Sequence, residues 1–268
     1  MKSNILPFAS QAFENLIFLP IAVNNIETIA MFDTGAGMSF LSESIVKQMH
    51  EMQSGTAINA GNNQGKISTY RTVRLDRLQI GDAEFQEQEV GVLPEDALSF
   101  GEDSAHNLFP ASMLLGWDIL SQLCWKVDMN RRFVEVYPGG IMPKNESLSW
   151  DSFPLIHIKY NGTTYPVGFD SGHTESMLDE TWIPRLHNLQ HEHTTICGVG
   201  STTEEEVLIA KEFVFKINET DIKLRRIEVA QHRIFGASEN MCALLGADIL
   251  CNAKWILDAG SRWFSIEK

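Results

Sequence analysis

The stretch Ile29-Ala30-Met31-Phe32-Asp33-Thr34-Gly35 is answered in the second half of the chain by Tyr165-Pro166-Val167-Gly168-Phe169-Asp170-Ser171-Gly172. Each runs from an apolar, strand-like segment into an Asp-hydroxyl-Gly turn. A second apolar run follows each: Ser39-Phe40-Leu41-Ser42-Glu43 in one half and Ser176-Met177-Leu178-Asp179-Glu180 in the other. Alone, either tripeptide reads as an ordinary β-turn, because Asp and Gly are favoured there. The pair reads differently. Two aspartates on equivalent turns can meet at a twofold axis as a carboxylate pair, and such pairs do acid–base chemistry.

The match extends well beyond the turns. Leu114-Leu115-Gly116-Trp117-Asp118-Ile119-Leu120 is answered by Leu244-Leu245-Gly246-Ala247-Asp248-Ile249-Leu250. It continues without a gap through Trp125 and Trp255, Asp128 and Asp258, Arg132 and Arg262, and Phe133 and Trp263. Gly116 follows Asp33 by 83 positions and Gly246 follows Asp170 by 76, so order and spacing are both kept. One module is used twice.

That module resembles the retropepsin-like and pepsin-like aspartic proteases, whose lobes carry Asp-Thr/Ser-Gly after an apolar strand and, later, two apolar residues before a glycine. The resemblance spans about residues 15 to 268. It implies an all-β, bilobal fold with two pseudo-twofold-related, β-barrel-like lobes, short helices and a shared interlobe sheet. It also implies peptide or protein substrates, no cofactor and no metal. By resemblance, Asp33 and Asp170 jointly activate a water and protonate the substrate carbonyl, since two carboxyls sharing one proton can do both. Gly35 and Gly172 let the backbone turn tightly and approach its symmetry mate. The hydroxyls of Thr34 and Ser171 are expected to hydrogen-bond across the lobes, and the Leu-Leu-Gly strands to pass beneath the turns, ahead of short helices. Gly61 to Gly65 and Gly198 to Gly200 read as hairpin tips. These hairpins are either flaps, with Tyr70 as a flap aromatic, or plain surface hairpins.

His173 departs from the family, which usually has a small or hydroxyl residue there. Its imidazole either modulates the aspartate pair or points away into a polar pocket. His187, His191 and His193 are spaced like partial metal ligands, but no carboxylate or Cys pattern completes a site, so a solvated loop is expected. Glu204-Glu205-Glu206 reads as a solvated face. The stretch Leu93 to Met113 is longer than its counterpart, acidic and loop-like, and reads as an insertion beside the cleft.

Of the 268 residues, 44% are hydrophobic, enough for a real core. The expected organisation is a first lobe over 1–138, a Pro/Gly/polar linker over 139–151 and a second lobe over 152–268. The segments from Arg132 to Tyr137 and from Arg262 to Ile266 alternate in polarity and are expected to meet in the shared sheet. A net charge of −14 argues against nucleic-acid binding. No sustained apolar run marks a transmembrane helix or a signal peptide, since Gln11, Glu14 and Asn15 interrupt early. The residues before Asp33 are expected to hold a core strand and leave no room for a pepsin-type propeptide. Cys124, Cys197, Cys242 and Cys251 sit at non-equivalent repeat positions, so free thiols and a cytoplasmic or otherwise reducing compartment are expected. A monomer is expected. The 21 Lys and Arg and 8 His favour function in mildly acidic to neutral conditions. The rival reading is a catalytically silent protein that keeps the fold for peptide binding or scaffolding.

Overall fold

A computed structural model of the chain describes residues 4–49, 53–61, 67–98, 100–150, 153–198, 201–233 and 241–268. Strands dominate, arranged in three sheets. The seven-stranded sheet runs in the order Phe18–Val23, Ile26–Phe32, Met113–Leu115, Phe40–Ser42, Ala83–Leu93, Ile67–Ile80 and Gln53–Gly61. Phe18–Val23 also pairs with Ile67–Ile80, which curls the sheet into a barrel. The second barrel-like sheet repeats that order strand for strand: Pro154–Tyr160, Thr163–Phe169, Ala243–Leu245, Met177–Leu178, Thr220–Val229, Ser201–Ile217 and Gln190–Gly198. Pro154–Tyr160 pairs back to Ser201–Ile217, and Leu148–Trp150 adds an eighth strand at the start. The duplication in sequence is thus a duplication of topology. Two short α-helices, Glu43–Gln48 and Trp117–Leu120, interrupt the first repeat.

The third sheet joins the halves in the order Asn4–Pro7, Phe133–Pro138, Leu123–Asp128, Lys254–Asp258 and Trp263–Glu267. Here the structure refines the sequence reading. Phe133–Pro138 and Trp263–Glu267 do lie in one sheet, but they are not neighbours; the preceding strands form the seam, with Trp125 opposite Leu257 and Trp255 opposite Val127. The reason is burial. Both tryptophans are fully buried, and their rings pack edge-on against Phe32 at 5.0 and 5.7 Å. Phe32 immediately precedes Asp33, so the seam lies directly under the first Asp turn.

The matched residues after each tryptophan have a local cause. Asp128 accepts the backbone N–H of Arg131, and Asp258 accepts that of Ser261. Both turns then close on an arginine in the left-handed region, Arg132 at φ 54° and Arg262 at φ 55°. Asp258 also accepts backbone N–H groups from Gly140 and Met142, 2.7 and 3.0 Å away, tying the chain between the repeats to the shared sheet.

Two further expectations meet the structure here. His191 and His193 do not lie on a loop: they stand on the strand Gln190–Gly198, exposed, with His191 Nδ1 2.8 Å from Glu206 Oε1. His187 precedes that strand and is exposed. Glu204 to Glu206 lie on the partner strand Ser201–Ile217, where Glu206 is exposed.

Each short strand Met113–Leu115 and Ala243–Leu245 runs parallel to the strand that ends at an aspartate. The glycine after it meets the turn's backbone: a Cβ on Gly116 would stand 2.5 Å from the Met38 carbonyl carbon, and one on Gly246 2.6 Å from that of Glu175. Backbone cannot move aside as a side chain can. Gly116→Ala is therefore expected to destabilise the fold by about 1–3 kcal/mol, while Gly61→Ala, with nothing within 4 Å of the added carbon, leaves stability nearly unchanged. Urea denaturation of both variants checks this.

Candidate active site

The two Asp turns are cross-linked by four hydrogen bonds. Thr34 Oγ1 donates to the Phe169 carbonyl at 2.8 Å, and Ser171 Oγ donates to the Phe32 carbonyl at 2.8 Å. In return the Ser171 N–H donates to Thr34 Oγ1 at 2.9 Å, and the Thr34 N–H donates to Ser171 Oγ at 3.1 Å. Both hydroxyls are buried, so no water competes for these groups. Serine in place of threonine keeps both the donor and the acceptor.

This lock brings Asp33 and Asp170 side by side, close enough for the charge of Asp170 to bear on Asp33. Each glycine lies against the opposite carboxyl. A Cβ on Gly35 would sit 2.2 Å from Asp170 Cγ, and one on Gly172 would sit 2.6 Å from Asp33 Oδ1. Only a residue without a side chain leaves room for the pair. Asp33 Oδ1 accepts the backbone N–H groups of Gly35 and Ala36, at 3.0 and 3.1 Å, whereas Asp170 Oδ1 accepts that of Gly172 at 2.9 Å. Burial, and next the charge of Asp170, push the Asp33 carboxyl well above the usual carboxylate range, outweighing the two N–H donors.

Beneath each turn the same support recurs. The Asp33 N–H donates to the Leu115 carbonyl and the Asp170 N–H to that of Leu245. Ser39 Oγ donates to Asp118 Oδ1 at 2.7 Å while accepting the Gly116 N–H at 2.9 Å. Ser176 Oγ donates to Asp248 Oδ1 at 2.6 Å while accepting the Gly246 N–H at 3.0 Å. Burial raises the carboxyl pKa of both Asp118 and Asp248. Sequence reasoning noted all four residues inside the repeat without assigning this work to them. The available signal was the recurrence of polar residues between positions that both halves bury.

His173 is half-buried beside this support. Its Nδ1 donates to the Glu175 carbonyl at 2.6 Å, and among the described residues no hydrogen bond joins the ring to either aspartate. The hairpin glycines are only partly described: Gly61 ends Gln53–Gly61 and Gly198 ends Gln190–Gly198, while Gly65 and Gly200 lie outside the described residues. Tyr70 lies on the first hairpin and packs edge-on against Phe40, ring centroids 5.4 Å apart. Phe40 follows Ser39 on the strand leaving the Asp33 turn, so Tyr70 stands beside that turn. The stretch from Leu93 to Met113 packs into the same apolar cluster, its Phe109 against Phe13 and Phe18. Asp103 holds this stretch to the N-terminal segment by accepting backbone N–H groups of Asn107 and Phe13. Those bonds lower its carboxyl pKa to about 2. This contribution is fully present above the ordinary Asp pKa and is lost only as the pH falls through about 2.

No three His, Cys, Asp or Glu side chains among the described residues are grouped to hold a metal ion. Cys124, Cys242 and Cys251 are unpaired, and burial drives the Cys124 thiol up to about 12. A hollow of about 290 Å³ lined by Lys126, Asp128, Arg131 and Lys254 lies on the shared sheet and includes neither Asp33 nor Asp170.

The lock generates a prediction. Ser171→Ala strands the buried Phe32 carbonyl and Thr34 N–H together. It should lower the free energy of unfolding by about 2–5 kcal/mol, read by urea denaturation. Thr34→Val should act similarly, because it strands the Phe169 carbonyl and Ser171 N–H.

Residues 19–122 match the family model described as "gag-polyprotein putative aspartyl protease". No curated protein matches the chain in sequence. Among solved structures, the aspartic proteinase from Irpex lacteus superposes with a TM-score of 0.60, covering 100% of this chain and 97% of that one at 11% identity. At that identity the likeness speaks for the fold. No helix among the described residues is long and apolar enough to cross a membrane. The chain therefore has the bilobal pepsin/retropepsin-like fold throughout, and residues 19–122 within its first barrel are similar in sequence to the retropepsin-like aspartyl protease family.

Proposed function

We propose that the chain is an aspartic endopeptidase and that Asp33 and Asp170 are its catalytic residues. The observation that carries this reading is that two carboxyls from opposite repeats each lie against the other turn's glycine, with Asp33 driven toward its neutral form by burial and by the charge of Asp170. A pair holding one proton has an ionised oxygen to take a proton from water and a protonated oxygen to give one to a peptide carbonyl. Water then adds to the carbonyl carbon; as the C–N bond breaks, the proton taken from water passes to the departing amine, and one hydroxyl of the tetrahedral diol returns its proton to the pair. The titration belongs to the pair as a unit. Thr34, Gly35, Ser171 and Gly172 place the carboxyls, and neither cofactor nor metal enters the step.

The two hairpins, Gln53–Gly61 with Ile67–Ile80 and Gln190–Gly198 with Ser201–Ile217, are suited to be flaps over a peptide bound between the lobes. Tyr70, beside the Asp33 turn, would then face the substrate. Both Asp-hydroxyl-Gly turns are intact, which favours a working enzyme over a silent peptide-binding relative.

Asp33→Asn and Asp170→Asn should each abolish peptide hydrolysis while the fold is kept, checked by turnover of a mixed peptide library and by circular dichroism. Substantial turnover by either variant would reject the assignment. The raised pKa of Asp33 fixes a second sign. A carboxyl raised on folding stabilises most at low pH, and that stabilisation disappears as pH rises through its folded value. At pH 7 Asp33→Asn should therefore melt at or above the wild-type temperature, and the advantage should shrink toward pH 4. Activity should fall on the alkaline side as the pair loses its proton. With 21 Lys and Arg against 35 Asp and Glu, the maximum should lie in mildly acidic to neutral solution. A maximum near pH 2 to 3 with the fold retained would contradict this.

A further inference from the structure

The first hairpin is irregular at one place. Its pairing is regular from Gly61 opposite Ile67 to Ala57 opposite Arg71, then slips, resuming with Ser54 opposite Val73. Gly55 and Thr56 therefore stand against the single residue Thr72, forming a bulge. The bulge is held from a third strand, Ala83–Leu93. Glu89 Oε1 faces the Thr72 hydroxyl and accepts from Thr56 N at 3.3 Å and Thr56 Oγ1 at 3.2 Å. The Thr72 hydroxyl also lies 2.6 Å from the Thr56 carbonyl, so its one proton serves either acceptor. These donors hold the Glu89 carboxyl below its usual range. The packing leaves no slack, since a Cβ on Gly55 would fall 2.0 Å from Thr72 Oγ1 and 2.6 Å from Glu89 Oε1.

A bulge bends and twists its strand, and its location sets the register of everything beyond it. Here the residues beyond are Ile58, Ala60 and Tyr70, which turn inward onto the cluster containing Met38 and Phe40, while Ala57 and Asn59 face solvent. A slip of one residue would exchange those faces. Inside the hairpin the Thr72 hydroxyl already bonds across the bulge to the Thr56 carbonyl. An acceptor on the neighbouring strand adds an anchor from outside it, because Glu89 belongs to the barrel wall two residues from Gly91, which pairs with Phe40.

We propose that Glu89 is a positioning residue that pins the bulge at Gly55-Thr56, and so fixes the register of the first hairpin and the placing of Tyr70 beside the Asp33 turn. Its catalytic consequence rests on the peptidase reading above; the pin itself does not.

The test uses the full chain and its Glu89→Ala, Glu89→Gln and Gly55→Ala variants, with hydrogen exchange and peptidase kinetics measured side by side. In Glu89→Ala and Gly55→Ala, amides of Ala57–Gly61 and Ser68–Thr72 should exchange about tenfold faster, as loss of one net hydrogen bond implies, with the second hairpin unchanged. KM should rise about threefold to tenfold, with kcat within about twofold. Glu89→Gln keeps an acceptor oxygen and should restore both readings to near wild type. Unchanged exchange in Glu89→Ala overturns the proposal, as does a Glu89→Gln variant as loose as Glu89→Ala. Faster exchange with no peptidase activity in the wild type would uphold the pin and sink the enzymatic reading instead.

Discussion

The reciprocal hydrogen bonds of Thr34 and Ser171 are the constraint on which the rest depends. Each hydroxyl accepts from the other turn's N–H and donates to the carbonyl just before the other aspartate. Removing either side leaves buried backbone groups unpaired, which costs more than the bond itself contributed. The closeness of the two carboxyls, the need for Gly35 and Gly172, and the buried tryptophans under Phe32 all follow from holding two chain reversals at this separation. Two carboxyls that both ionised here would repel, and the lock holds the turns together against that repulsion.

Beneath that lock the two repeats share their supports but not their surroundings. Ser39 with Asp118 and Ser176 with Asp248 are equivalent in partners and distances. The residue after each Leu-Leu-Gly differs. Trp117 reaches Trp150, ring centroids 6.2 Å apart, whereas Ala247 packs into the apolar cluster with Leu16 and Phe18. Positions that hold the carboxyls are alike in both halves, whereas this position, which packs against the other half, has diverged.

This division explains what was legible in the sequence. The Asp-hydroxyl-Gly turns and the Leu-Leu-Gly strands could be read because the same backbone geometry is required twice, so the chain carries its own comparison. The doubled topology follows from that. The seam of the shared sheet could not be read, since both strands of an antiparallel hairpin alternate alike and nothing local says which is inner. His191 and His193 escaped because Gln190–Gly198 is an edge strand of its sheet, polar from Gln190 to Thr195, which erases the period-two signal there. Glu89 is silent in sequence for another reason: its partners lie on two other strands, and Gln88-Glu89-Val90 looks like any exposed strand.

The tie between Asp258 and the backbone of Gly140 and Met142 has a consequence in mass action. An aspartate pair assembled from two separate chains exists only above their dissociation constant, and dilution takes it apart. Here both turns belong to one polypeptide, and the connection between the repeats is itself fastened to the sheet they share. The second turn is therefore presented to the first at an effective concentration set by a short, anchored tether. Assembly of the pair becomes a first-order event, indifferent to how much protein surrounds it.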